Sequence, residues 1–230
     1  MQVVGVDGCP GGWLAVPYDP GARTLVPRVH PSFADILAAY PDASCIAIDI
    51  PIGLMEGEPR RCDVEARRLL AHRHSSVFPA PDPRVLTATG YAEASRLARP
   101  LTGKGISKQG HAIYTKVTQV NRAMSPVLQS RVVEIHREVS FSALGGRPMD
   151  HPKRTPEGFA ERHALLDAAI FAAIPDRNTA RALARPATAD DILDAIAAAW
   201  TAHRFATGQA GRLPEVPQTD AHGLRVEIVY

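Results

Sequence analysis

The first fifty residues alternate between short apolar runs and clusters of turn residues. Val3-Val4-Gly5-Val6 is uninterrupted and is followed by Gly8-Cys9-Pro10-Gly11-Gly12; residues 13–18 are again apolar, then come Asp19-Pro20-Gly21 and a third run at 24–30. Runs of this length, punctuated by glycine and proline, predict three antiparallel strands joined by hairpin turns. The spacing then changes. Phe33, Ile36 and Leu37 recur at helical intervals behind Ser32, a residue suited to an N-cap, and Pro41 closes the segment. The apolar run Cys45-Ile46-Ala47-Ile48 follows, leading into Asp49 and Ile50. Three antiparallel strands, a helix and a fourth strand parallel to the first make a mixed α/β sheet flanked by helices.

Beyond residue 53 the pattern is less regular. Residues 54–105 hold a basic helical stretch from Arg60 to Arg73 and a turn-rich segment at 75–81, and read as an irregular insertion over one face of a single domain spanning 1–230. Further expectations are a helix near 107–124, a strand at 131–136, helices near 156–173 and 188–206, and a final edge strand at 224–230. No internal repeat or low-complexity tract is present.

Composition adds little to this picture. At 45% hydrophobic and 22% charged, with a formal net charge of +2, the chain is ordinary for a globular protein, and any basic surface must be local. Cys9, Cys45 and Cys62 show no CxxC spacing, which argues against a disulfide framework and a zinc site and fits a reducing cytosol. With no apolar run near 18 residues and no basic leader at its start, the chain is expected to be cytoplasmic, without a membrane partner. Only four of the 26 basic residues are lysine, and three of these (Lys104, Lys108 and Lys116) fall within one segment.

The candidate chemistry is acidic. Asp7 and Asp49 lie at the ends of apolar, β-branched runs that read as strands buried on both faces. An ionised carboxylate in such a place is costly unless it is paired or binds a metal. Asp191 and Asp194, three apart, share a face of the last helix. Thr188 with Asp191 makes a capping box, which accounts for Asp190 and Asp191 without invoking a site; Asp194 lies too far into the helix for that role. Glu134, His136 and Glu138 alternate along the expected 131–136 strand and its extension, and would share one face. Convergence of Asp7, Asp49 and Asp194, with Asp191 and Glu134, favours one or two hard ions, Mg²⁺ or Mn²⁺, over zinc.

The order of these acids along the chain, on the first strand, the fourth strand and the last helix, resembles the ribonuclease H-like superfamily. Within it the chain is most similar to the domain-of-unknown-function family 429. The likeness rests on Val4-Gly5-Val6-Asp7-Gly8-Cys9-Pro10-Gly11-Gly12-Trp13, Ile48-Asp49-Ile50-Pro51-Ile52-Gly53, Arg61-Cys62-Asp63, Ser75-Ser76-Val77-Phe78-Pro79-Ala80-Pro81, Gly105-Ile106-Ser107-Lys108-Gln109, Glu134-Ile135-His136-Arg137-Glu138-Val139, Lys153-Arg154-Thr155 and Asp190-Asp191-Ile192-Leu193-Asp194-Ala195. One departure is Arg137, where the family pattern has proline. The paired acids on the last helix also look like those of RuvC-type junction resolvases.

The resemblance implies a nuclease that hydrolyses phosphodiesters at a two-metal carboxylate site, with Asp7, Asp49, Asp191 and Asp194 as metal ligands and Glu134 as a further catalytic acid. Arg61, Arg67, Lys104, Lys108, Lys116 and His136 are then expected to meet a nucleic acid or nucleotide substrate. RuvC-type enzymes act as dimers, so a homodimer is a further expectation. Two alternatives stand beside this one. An actin- or sugar-kinase-like phosphotransferase also uses an acid beside a glycine-rich turn, although no second copy of the domain is found. A catalytically inactive binding module would keep the acids for folding or for a structural ion.

Overall fold

The computed structural model describes residues 1–103, 105–183 and 185–230. The chain opens with the antiparallel pair β1 (Val3–Cys9) and β2 (Gly12–Asp19), closed by a tight turn at Pro10-Gly11. The third run becomes two short strands, β3 (Thr24–Leu25) and β4 (Arg28–His30), both paired to β2. Val26 and Pro27 separate them, because proline has no N–H to donate to the ladder.

Helix α1 (Phe33–Ala39) starts where expected: the Ser32 hydroxyl accepts from the Asp35 amide, and the Asp35 carboxylate accepts from the Ser32 amide. It crosses over to β5 (Cys45–Ile48), which pairs parallel to β1, and β5 pairs parallel to β6 (Val132–Glu134). The sheet runs β3-β2-β1-β5-β6, with β4 also on β2. The mixed sheet of antiparallel and parallel strands is the one the sequence implies.

Between β5 and β6 lie α2 (Arg61–Leu69), short 3₁₀ turns, α3 (Tyr91–Thr102), α4 (Lys108–Ala112) and α5 (Tyr114–Ala123). After β6 come α6 (Arg137–Gly145), α7 (Pro156–Ala169), α8 (Arg177–Leu183) and α9 (Ala189–Ala206), then a separate hairpin of β7 (Arg212–Thr219) and β8 (Arg225–Val229). The C-terminal strand thus pairs with β7, with one parallel bridge from Val229 to Ile135 just past β6. No helix among the described residues is long and apolar enough to cross a membrane.

The two sheet faces carry separate apolar clusters. Val4, Val6, Ile46, Ile48 and Val132 face α1 and α5, whereas Val3, Cys45, Ala47, Val133 and Ile135 face α9. Helix α9 lies almost backbone-to-backbone on β1. A Cβ added at Gly5 would fall 1.9 Å from the Ala195 carbonyl oxygen and 2.2 Å from the Ala199 nitrogen. Glycine in the strand and alanine along the helix permit this approach.

Candidate metal centre

The close approach at Gly5 brings the acids together. Asp7 lies two residues further along β1, so its side chain points to the same face as Gly5, and Asp194 immediately precedes Ala195 on α9. Asp49 stands just beyond β5. The register places Val6 beside Ile48, and the Asp49 amide donates to the Val6 carbonyl at 3.1 Å, so Asp49 falls beside Asp7. One oxygen each from Asp7, Asp191 and Asp194 lie within 4.8 Å of one another.

Two cations already face this cluster. The Lys153 Nζ lies 2.6 Å from Asp194 Oδ2 and 3.4 Å from a carboxylate oxygen of both Asp190 and Asp191. Arg137 reaches Asp49 Oδ2 through Nη1 at 2.6 Å and Asp194 Oδ2 through Nε at 3.5 Å. The sequence reading noted both residues without assigning either to the site. The available signal was slight: Lys153 is the lone lysine outside the 104–116 cluster, and Arg137 breaks the family pattern.

Asp7 is served least well. It is only 7% exposed, and Oδ1 accepts the amide of its neighbour Gly8 at 2.8 Å. No ion pair to it is seen among the described residues. Burial, reinforced by the charges of Asp194 and Asp49, holds its pKa well above the ordinary carboxylate value. Asp194 is raised too, because burial outweighs Lys153 and Arg137. Its Oδ1 is buried and has no hydrogen-bond partner. Burial acts the same way on Asp49, but Arg137, His136 and Lys153 together overcome it and leave its pKa lowered. This is the field of a site short of positive charge.

His136 borders the cluster. Its Nε2 lies 3.3 Å from the Ser76 carbonyl, which can only accept, so Nε2 carries the proton and Nδ1, buried and unpartnered, is the free acceptor. Burial lowers its pKa below the ordinary imidazole value. Asp49, His136 and Arg137 line a cavity of about 140 Å³ together with Ser76, Phe78 and Ile113.

Glu134 does not join the cluster, and the expected shared face of Glu134, His136 and Glu138 is not formed. The strand stops at Glu134, and α6 begins at Arg137. Register decides the position of Glu134: it aligns with Ile48 and Val6, whose side chains face away from α9. There it accepts from the Ile52 amide at 2.6 Å and pairs with the buried Arg60. Cys62, Asp63 and Glu134 also come within 4.8 Å of one another. Arg60 already bridges Asp63 and Glu134, and burial drives the Cys62 thiol pKa far up, so a cation is in place and the thiol stays protonated. Glu138 is held by the buried Arg162 at 2.7 Å.

The expected substrate contacts are dispersed. Lys116 stands nearest: its Nζ donates to the Gly12 carbonyl at 2.6 Å over the Trp13 ring, and its stem crosses Gly8. Arg67 is bound to the Val77 carbonyl and His74. Arg61 and Lys108 are exposed at the starts of α2 and α4, and Lys104 lies outside the described residues.

Residues 5–219 match the model of a family described as "Protein of unknown function (DUF429)". No curated protein and no solved structure matches the chain.

Proposed function

We propose that this chain, which belongs to the DUF429 family, is a nuclease dependent on Mg²⁺ or Mn²⁺ that hydrolyses phosphodiester bonds at the Asp7–Asp194 cluster. The observation that carries this reading is the buried Asp7 carboxylate. It lacks a cationic partner among the described residues, and beside it stand Asp191 and a second buried carboxylate with a free oxygen. The cation-sized group is made of three carboxylates, which suit a hard cation, and an ion there would offset the burial and the neighbouring charges that raise Asp7.

Such an ion supplies Lewis-acid polarisation of a phosphoryl oxygen. The chain's own groups do the rest. Asp7, Asp191 and Asp194 would hold the ion at the end of β1. Arg137 presents a guanidinium to the charge that develops on its oxygens. His136 Nδ1 is a proton acceptor beside Asp49. Hydrolysis forms a bond from a water oxygen to phosphorus, breaks the ester bond, and leaves the departing oxygen protonated. Lys116 and the exposed Lys108 and Arg61 extend basic contacts to a nucleic-acid backbone.

The test is Mn²⁺-dependent cleavage of single-stranded, duplex and branched DNA and of RNA, with Asp7→Asn and Asp49→Asn as folded controls. Loss of cleavage in both variants is expected. Cleavage that survives Asp7→Asn rules out this site, and Mn²⁺ binding without turnover of any substrate favours a non-catalytic binding module.

A further inference from the structure

The four carboxylates expected to hold two ions divide into unequal parts. Asp7, Asp191 and Asp194 form a cation-sized group, whereas Asp49, although beside Asp7 in the sheet, belongs to no such group among the described residues. Asp49 instead holds Arg137, and the same guanidinium reaches Asp194. In a two-ion site the ions lie about 3.5–4 Å apart. A second ion shared by Asp49 and Asp194 would stand where the Arg137 guanidinium lies. We infer that Arg137 fills that position, so that this chain binds one divalent ion, on Asp7 and the free Oδ1 of Asp194, with a permanent guanidinium in place of the other. The inference rests on the proposed metal site.

Three observations support it. The Asp194 side chain is 0% exposed, and its oxygens are divided: Oδ2 takes both cations, and Oδ1 takes none. Arg137 is the first residue of α6; its Nη1 donates to Asp49 at 2.6 Å, and its Nε stands 3.5 Å from Asp194 without a hydrogen bond there. Its planar, permanently charged guanidinium therefore lies against both acids at once, where a lysine would offer a point charge. Lys153, by contrast, comes from the loop before α7 and meets Asp194, Asp190 and Asp191 as a single ammonium on a flexible stem, which can yield to an entering ion.

The experiment is equilibrium dialysis of the full chain against saturating Mn²⁺, with metal and protein quantified, together with anomalous scattering from a Mn²⁺-soaked crystal. One ion per wild-type chain is expected, on the Asp7–Asp194 side. Arg137→Ala is expected to bind two, the second between Asp49 and Asp194, and Arg137→Lys, which keeps a charge there, to retain one. If Arg137→Ala does not fold, Arg137→Gln serves the same comparison. Two ions on the wild type, or one on a folded Arg137→Ala or Arg137→Gln, overturn the inference while leaving the metal site standing. No ion on the wild type overturns both.

Discussion

Gly5→Ala isolates the contact on which the site depends. The added methyl would lie 1.9 Å from the Ala195 carbonyl oxygen and 2.2 Å from the Ala199 nitrogen, against ordinary contacts that begin at 3.4 Å. The gap must therefore open by about 1.5 Å, and both obstructing atoms are helix backbone, so no rotamer change relieves it. Overpacking of ordinary cores costs about 1–3 kcal/mol. Here a rigid helix must leave the central strand, so a loss at the top of that range, about 3 kcal/mol, is expected. The same retreat separates Asp194 from Asp7, so Mn²⁺ affinity should fall even in the fraction that remains folded. Urea unfolding gives the first quantity, and Mn²⁺ titration well below the unfolding midpoint gives the second. Gly90→Ala is the steric control: nothing lies within 4 Å of its added methyl, and as the N-cap of α3 it should lose no more than about 1 kcal/mol, with Mn²⁺ affinity unchanged. A Gly5→Ala protein with wild-type stability and Mn²⁺ affinity would show that α9 does not rest on β1 as described.

Other outcomes follow from the electrostatics. Asp7→Asn should stabilise the metal-free protein, since it removes a buried and repelled carboxylate while retaining an acceptor for the Gly8 amide, and it should abolish stabilisation by Mn²⁺; a lower metal-free Tm would contradict this. The pH dependence has a definite sign. With folded pKa values of Asp7 and Asp194 above their unfolded values near 3.8, the metal-free fold binds the extra protons, so this contribution to stability is fullest at low pH and declines as pH rises through the raised values. Mn²⁺ competes with those protons, so the Tm increase it causes should be larger at pH 8 than at pH 5; an equal or reversed difference refutes the assignment. Lys153→Met, by removing a competing cation, should tighten Mn²⁺ binding about tenfold or more, measured by calorimetry, and weaken the metal-free fold. Arg162→Met leaves the buried Glu138 with only the more distant Arg73, at 3.7 Å, and should cost about 3 kcal/mol in denaturant unfolding, the low end for a broken buried pair, with the Asp7 cluster untouched.

The parts of the site that were legible in the sequence are those fixed by local pattern. Asp7 and Asp49 ended apolar runs whose order implied parallel neighbours, and the register of β1 with β5 sets them side by side. Glu134 shows where such reading stops. Alternation within a strand says which residues share a face, but the face itself depends on register with the next strand, and an offset of one residue sends Glu134 to Arg60. The end of β6 was equally obscure, because Ile135-His136-Arg137-Glu138-Val139 alternates as a strand does while the chain turns into α6. β7 was hidden by Pro214 and Pro217, which fit only because the pairing with β8 is interrupted between Leu213 and Gln218. Arg137 and Lys153 carry only a slight signal in the sequence, since their acidic partners lie far away along the chain and meet them only through the fold.

The bridge from Val229 to Ile135 bears on how the border of the sheet is protected. β6 is the outermost parallel strand of the sheet and has only three residues, and the β7–β8 hairpin is set down just where the strand ends. On the opposite side the border is broken into β3 and β4 around Pro27. Neither border offers a long, flat row of free amides and carbonyls to a neighbouring molecule. Removing residues 212–230 would undo this on one side, uncovering Ile135 together with the apolar residues that pack against Val226 and Ile228. Such a truncated chain would be expected to self-associate by edge pairing even with every acid of the site in place.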